Sequence, residues 1–124
     1  MQRLQIAPTI RTASVEFDPE QALLRIQGNS IPENADGFFQ PLHDWVEEFR
    51  NVHKGPVRIR IFMTYFNTAT IRHLISLLRR LIFYYGDQLT IEWAYERGDE
   101  EIRDRGQDLA EVVKFNFRFE EVKD

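Results

Sequence analysis

Polar and apolar residues alternate along Ser14-Val15-Glu16-Phe17-Asp18 and again along Leu24-Arg25-Ile26-Gln27-Gly28, with Asp18-Pro19-Glu20 between them, which predicts a β-hairpin. Residues 1–11 are expected to be loosely ordered. The stretch from Gly28 to Asn34 is dense in turn formers and lacks a period, so it reads as a loop that opens a helix. Phe38, Leu42, Trp45 and Phe49, with Val46 beside them, follow at helical spacing as one apolar stripe. Pro41 would fall in the second turn of a helix begun near Ala35, so a later start or a kink is expected. After Lys54-Gly55-Pro56, the run Val57 to Met63 alternates with Val57, Ile59, Ile61 and Met63 on one face of a strand. Thr64 to Thr68 read as a short connection. Ile71, Leu74, Ile75, Leu78, Ile82 and Tyr85 then mark a helix that Gly86 stops. Leu89 to Tyr95 alternate in a further strand. Asp99-Glu100-Glu101 cap a helix carrying Ile102, Leu109, Val112 and Val113, with Gly106 lowering its propensity. Phe115, Phe117 and Phe119 alternate in a last strand.

The order β-β-α-β-α-β-α-β predicts an α/β domain with a mixed sheet, in which helices between strands imply parallel crossovers. Functional groups in such sheets gather beyond the carboxyl ends of the strands. Here that edge holds the loops from Gly28 to Asn34 and from Thr64 to Thr70. A chain of 124 residues, 43% apolar and 29% charged, fits one domain spanning residues 1–124. The absence of cysteine excludes a disulfide framework, a zinc knuckle and a thiol nucleophile, and is consistent with a cytoplasmic protein. A net charge of -4 argues against nucleic acid as the partner. The N-terminus has no apolar run of the signal-peptide kind, and no stretch is long and apolar enough to span a membrane.

Enzyme motifs are absent: there is no GxGxxG, Walker loop, GxSxG or HExxH. His43, His53 and His73 form no HxH or HxxxH pair, which favours ordinary surface or cap histidines over a metal site. Adjacent acids such as Glu47-Glu48 point apart on a helix and read as a solvated face. The segment Met63 to Ile71 offers more. A hydroxyl at the first positions of a helix lies beside free backbone N–H groups and the positive end of the helix dipole, where a phosphate is tolerated. Thr68 is so placed, and Tyr65 and Phe66 before it would form part of a partner-binding surface if exposed. The plainer alternative is that Asn67 or Thr68 only caps the helix and both aromatics belong to the core. Arg72, one turn on, could steady a phosphate or a partner's acid, or belong to a solvated basic face with Arg79 and Arg80. Pro32-Glu33-Asn34 is expected beside Thr68 at the same sheet edge.

Four features in order, Gly28 to Asn34 with its Pro32-Glu33-Asn34, Trp45, Tyr65-Phe66-Asn67-Thr68 and Trp93-Ala94-Tyr95, resemble the SiaC family of bacterial regulatory phosphoproteins. The likeness runs from the hairpin to Phe119. It implies a fold similar to STAS domains, the anti-sigma-factor antagonists; from the missing motifs and the histidine spacing, no cofactor and no catalytic or metal residues are expected. It further implies a partner switch: a dedicated protein kinase phosphorylates a threonine, matched here by Thr68 with Thr70 as runner-up, and a metal-dependent phosphatase removes the phosphate. The unphosphorylated form would bind and activate a diguanylate cyclase, controlling cyclic-di-GMP and biofilm formation. Partner contacts would come from Pro32, Glu33, Asn34, Tyr65, Phe66, Asn67 and Arg72. An anti-sigma-factor antagonist of the general STAS type is the alternative, and a small-molecule or nucleotide binder using the strand-end crevice is a second.

Overall fold

A computed structural model describes residues 1–123. Its elements are β1 (Leu4–Ile6), β2 (Ser14–Asp18), β3 (Leu23–Ser30), α1 (Ala35–Val52), β4 (Val57–Phe66), α2 (Thr68–Tyr85), β5 (Leu89–Glu96), α3 (Glu100–Val113) and β6 (Arg118–Val122), with a 3-10 turn at Gly86–Gln88. The six strands form one sheet in the order β1-β2-β3-β4-β5-β6. Pairs β1/β2 and β2/β3 are antiparallel and the remaining three are parallel. Crossovers of one hand between strands laid down in sequence order place all three helices on the same face. Burial agrees. Val15, Phe17, Leu24, Ile26, Ile59, Ile61, Ile91 and Trp93 are buried on the helix side, while Glu16, Arg25, Arg60 and Glu92 stand in register on the other. On that uncovered face Arg60 donates to both carboxylate oxygens of Glu120, at 2.6 and 3.2 Å.

Several expectations are corrected. The N-terminal residues are tied down: Leu4 pairs with Phe17, and the Trp45 indole N–H donates to the Gln2 carbonyl at 2.9 Å. A three-residue strand is too short to show a period, so β1 left no pattern to read. α1 begins at Ala35, not later, and runs as one assigned helix through Pro41. Pro41 supplies no N–H to the Gly37 carbonyl, but both residues are exposed, so water can satisfy that oxygen. Phe39 and His43 join the buried side of α1, while Phe38 is only partly buried. The apolar stripe of α2 is turned slightly: Leu77 and Leu81 are fully buried, and Ile71, Ile75 and Ile82 lie at its margins. Strand β3 continues to Ser30 and β4 to Phe66, shortening both strand-end loops. The last strand starts at Arg118, so Phe115 and Phe117 precede it and pack against the core instead.

Gly106 has a packing reason. A Cβ at this position would stand 2.5 Å from the Trp93 Nε1, so glycine lets α3 approach the buried indole. That indole N–H donates to the Ile102 carbonyl at 2.9 Å.

Candidate functional site

Strands β3 and β4 end side by side, with Ser30 opposite Phe66. Their shared edge is stitched through Ser30. The Asn67 N–H donates to the Ser30 carbonyl at 3.1 Å, and the Thr70 hydroxyl donates to the same oxygen at 2.9 Å. Since the single Thr70 hydroxyl proton is used there, the Ser30 hydroxyl is the donor in its 2.8 Å bond to Thr70 Oγ1. Ser30 and Thr70 are both fully buried. Asn67 is the N-cap of α2, its side-chain oxygen accepting the Thr70 N–H at 3.0 Å. Thr68, the first residue of α2, is exposed, and the first turn contains no acid to oppose an added negative charge. The two candidate hydroxyls therefore differ: one faces solvent and the other is locked in the core.

A β-bulge decides which aromatic is presented. Val57, Ile59, Ile61 and Met63 point into the core, so strict alternation would bury Tyr65. The register slips at this point: Gly28 pairs with Met63, but Asn29 pairs with Tyr65, leaving Thr64 as the extra residue. The Thr64 hydroxyl donates to the Asn29 side-chain oxygen at 2.7 Å. As a result Tyr65 is 62% exposed and Phe66 turns inward, packing edge-on to Trp93 at 6.0 Å. The expectation that both aromatics are exposed holds for Tyr65 only. Phe66 is a core residue.

On the neighbouring strand end, Pro32 is buried and offers no surface of its own. Glu33 is exposed, 3.4 Å from Arg11 in a solvent-screened pair. Asn34 is the N-cap of α1, its side chain accepting the Gly37 N–H at 3.0 Å. Arg72 is exposed on α2 and makes no hydrogen bond or ion pair among the described residues. Four of the expected contact residues, Glu33, Asn34, Tyr65 and Arg72, are thus open to solvent, together with the candidate acceptor Thr68.

A histidine chain was missed. His43 on α1 and His73 on α2 face each other with Nε2 and Nδ1 3.2 Å apart, and His73 Nε2 lies 2.7 Å from the Asp36 carboxylate. Ring His73 stacks on Phe39 at 4.9 Å. Burial holds the His43 pKa below its ordinary value, and the charges of Arg80 and His73 lower it further. His53 follows α1 as its C-cap, as expected of a cap histidine, but His43 is interior. No group of three or more His, Cys, Asp or Glu able to hold a metal occurs among the described residues.

A six-stranded mixed sheet with three helices, carrying a free hydroxyl and an exposed aromatic at one helix start, defines a small α/β domain. A family model described as "SiaC family regulatory phosphoprotein" matches residues 6–122, and the chain belongs to that family. An uncharacterized protein of Pseudomonas aeruginosa (strain UCBPP-PA14) is 29% identical over 119 residues, with 94% of each chain covered. Among solved structures, SiaC of Pseudomonas aeruginosa matches with a TM-score of 0.83 and 26% identity over the whole of both chains. A crystal structure of the diguanylate cyclase SiaD in complex with its activator SiaC, from the same organism, matches with a TM-score of 0.89 and 27% identity, covering 96% of this chain and 99% of the other. Among the described residues no helix is long and apolar enough to cross a membrane.

Proposed function

We propose that this chain is a cytoplasmic, non-enzymatic partner-switch protein that binds and activates a diguanylate cyclase when unphosphorylated. A protein kinase adds phosphate to Thr68 and releases the cyclase, and a metal-dependent phosphatase restores the active form. Cyclic-di-GMP level and biofilm formation follow the balance between the two. The observation that carries this reading is the contrast of hydroxyls at the start of α2: Thr68 is exposed beside exposed Tyr65, whereas Thr70 is buried and fully bonded. The likeness to a cyclase-bound activator supports the partner class.

Phosphate adds a charge of about -1.5 to -2 and three acceptor oxygens at one point. On the free protein the start of α2 tolerates that charge. Covered by a partner and left without a cation, it costs several kcal/mol of desolvation. Reversing a two-state population from 1:99 to 99:1 takes about 5.5 kcal/mol, so one group suffices.

The test is intact mass before and after exposure to the cognate kinase, for wild type and Thr68→Ala, followed by cyclase binding. Wild type should gain one phosphate and lose the cyclase, and Thr68→Ala should gain none. Undiminished phosphate gain in Thr68→Ala, or equal cyclase binding by both forms of wild type, refutes the proposal.

A further inference from the structure

The carboxyl ends of β3 and β4 share their sheet edge with a third loop, residues 7–13 between β1 and β2, because β2 runs antiparallel to β3 and starts where β3 ends. In this loop Ile10 is 88% exposed, the most exposed large apolar side chain among the described residues. The loop beneath it is fixed. Thr9 Oγ1 accepts the Arg11 and Thr12 N–H groups at 3.1 and 2.9 Å, and the Thr9 N–H donates to the Thr12 carbonyl at 3.0 Å. The Ile31 N–H donates to the Arg11 carbonyl at 2.8 Å, which ties the loop to the chain just beyond β3. Asn29 joins it to the bulge: its Oδ1 accepts from Thr64 at 2.7 Å, and its Nδ2 lies 3.5 Å from the Ile10 carbonyl. Ile10 takes no part in the core, and on so fixed a loop it can dock without loss of chain freedom.

Thr68 is held as firmly. Asn67 and Thr70, on either side of it, are bonded to the Ser30 carbonyl, so the acceptor does not lie in an extended peptide that an enzyme can read. Whatever phosphorylates Thr68 recognises the folded edge. The components of the switch need different things there. A metal-dependent phosphatase grips the phosphate itself through its metal ions. The cyclase has to sense the phosphate, and so covers Thr68. A kinase meets a neutral hydroxyl, which contributes little affinity, and must leave Oγ1 open to its nucleotide. Its hold therefore comes from beside the acceptor. The loop that carries Ile10 joins β2, which lies two strand spacings, roughly 10 Å, from β4. One enzyme surface spans that distance without covering Thr68.

We infer that the β1–β2 loop is the docking element for the protein kinase, with Ile10 seated in an apolar socket of that enzyme. This rests on the partner-switch reading and adds how the kinase finds its substrate. With the loop docked, Thr68 Oγ1 bonds to the γ-phosphorus of a nucleoside triphosphate. The bond to the β,γ-bridging oxygen breaks, the diphosphate leaves, and the hydroxyl proton passes to a base of the kinase. Two rigid points on one sheet edge align the hydroxyl for that displacement.

The experiment measures phosphorylation of the full chain by its cognate kinase over a range of substrate concentrations, with cyclase binding measured alongside. Ile10→Ser should lower kcat/KM by about ten- to hundredfold, the change expected when an isoleucine is withheld from an apolar socket. The loss should lie mainly in KM, because docking is binding that ground and transition states share. Its melting temperature and cyclase affinity should match wild type, since the side chain is exposed. Ile10→Leu should remain within about threefold of wild type, being a volume-conserving change. Val52→Ser, at an exposed site on α1, is the off-surface control and should be phosphorylated as wild type is. If Ile10→Ser is phosphorylated as fast as wild type at low substrate while Thr68→Ala gains nothing, the inference is wrong and the switch stands. If Ile10→Ser loses cyclase affinity to the same degree, or slows dephosphorylation alone, the loop serves another partner and the inference is overturned. Undiminished phosphate gain in Thr68→Ala removes the switch and the inference with it.

Discussion

Thr70→Val removes one oxygen from the core while keeping the side chain's shape. Thr70 Oγ1 donates to the Ser30 carbonyl at 2.9 Å and accepts from the Ser30 hydroxyl at 2.8 Å, with both residues fully buried. The carbonyl keeps the Asn67 N–H at 3.1 Å, but the Ser30 hydroxyl loses its partner. Two net hydrogen bonds at about 1 kcal/mol each, plus about 1–3 kcal/mol for the stranded hydroxyl, are partly offset by the added methyl, near 0.8 kcal/mol. A net loss of about 2–4 kcal/mol is expected. For a domain of this size that lowers the melting temperature by roughly 8–15 °C. Urea and thermal unfolding measure the loss, and the Ser30→Ala/Thr70→Val pair should cost less than the sum of the singles because the stranded hydroxyl is gone. Below its melting transition the variant should still accept one phosphate from the kinase. A melting point within about 1 °C of wild type would refute the energetic argument. A folded Thr70→Val that no longer gains phosphate would refute the assignment of the two hydroxyls.

Stability should fall on mild acidification because of His43, whose pKa is depressed in the fold by burial and by Arg80 and His73, with Asp44 and Glu47 opposing weakly. The folded state therefore binds fewer protons than the unfolded chain, so this contribution is complete above the unfolded value of 6.5 and is lost as pH falls through the lowered folded value. Urea midpoints between pH 7.5 and 5 should decline more steeply for wild type than for His43→Leu; parallel profiles would exclude this source. Gly106→Ala should destabilise by about 1–2 kcal/mol, because overpacking against Trp93 outweighs the roughly 1 kcal/mol that alanine gains in helix propensity. A raised melting temperature would show that the indole can move aside.

Long periodic segments were legible: the buried faces of β2, β3, β4 and β5 and the existence of three helices follow from spacing alone. The cap of α2 was legible to within one residue, Asn67 or Thr68, because capping is chemistry between residues three apart, and the structure places it at Asn67. What escaped depended on pairing across the sheet or between helices. The bulge at Thr64 is a property of two strands together, and without it neither the exposure of Tyr65 nor the burial of Phe66 can be foreseen. His43 and His73 are 30 positions apart and meet only once α1 and α2 pack. Phe115 and Phe117 alternate as strand residues do, yet a left-handed cap at Lys114 ends α3 immediately before them and they pack on the core ahead of β6. The resemblance named the family, which the match over residues 6–122 bears out, but it could not tell a core aromatic from a presented one.

Ser30 accepts from Asn67 and Thr70 at once, so the platform under Thr68 is bolted to the sheet on both sides of that residue. A chemical mark set on such a post alters what a visitor meets without asking the framework to rearrange. The message is then written in surface charge and not in shape, and marked and unmarked forms should superpose through β3, β4 and the opening turns of α2.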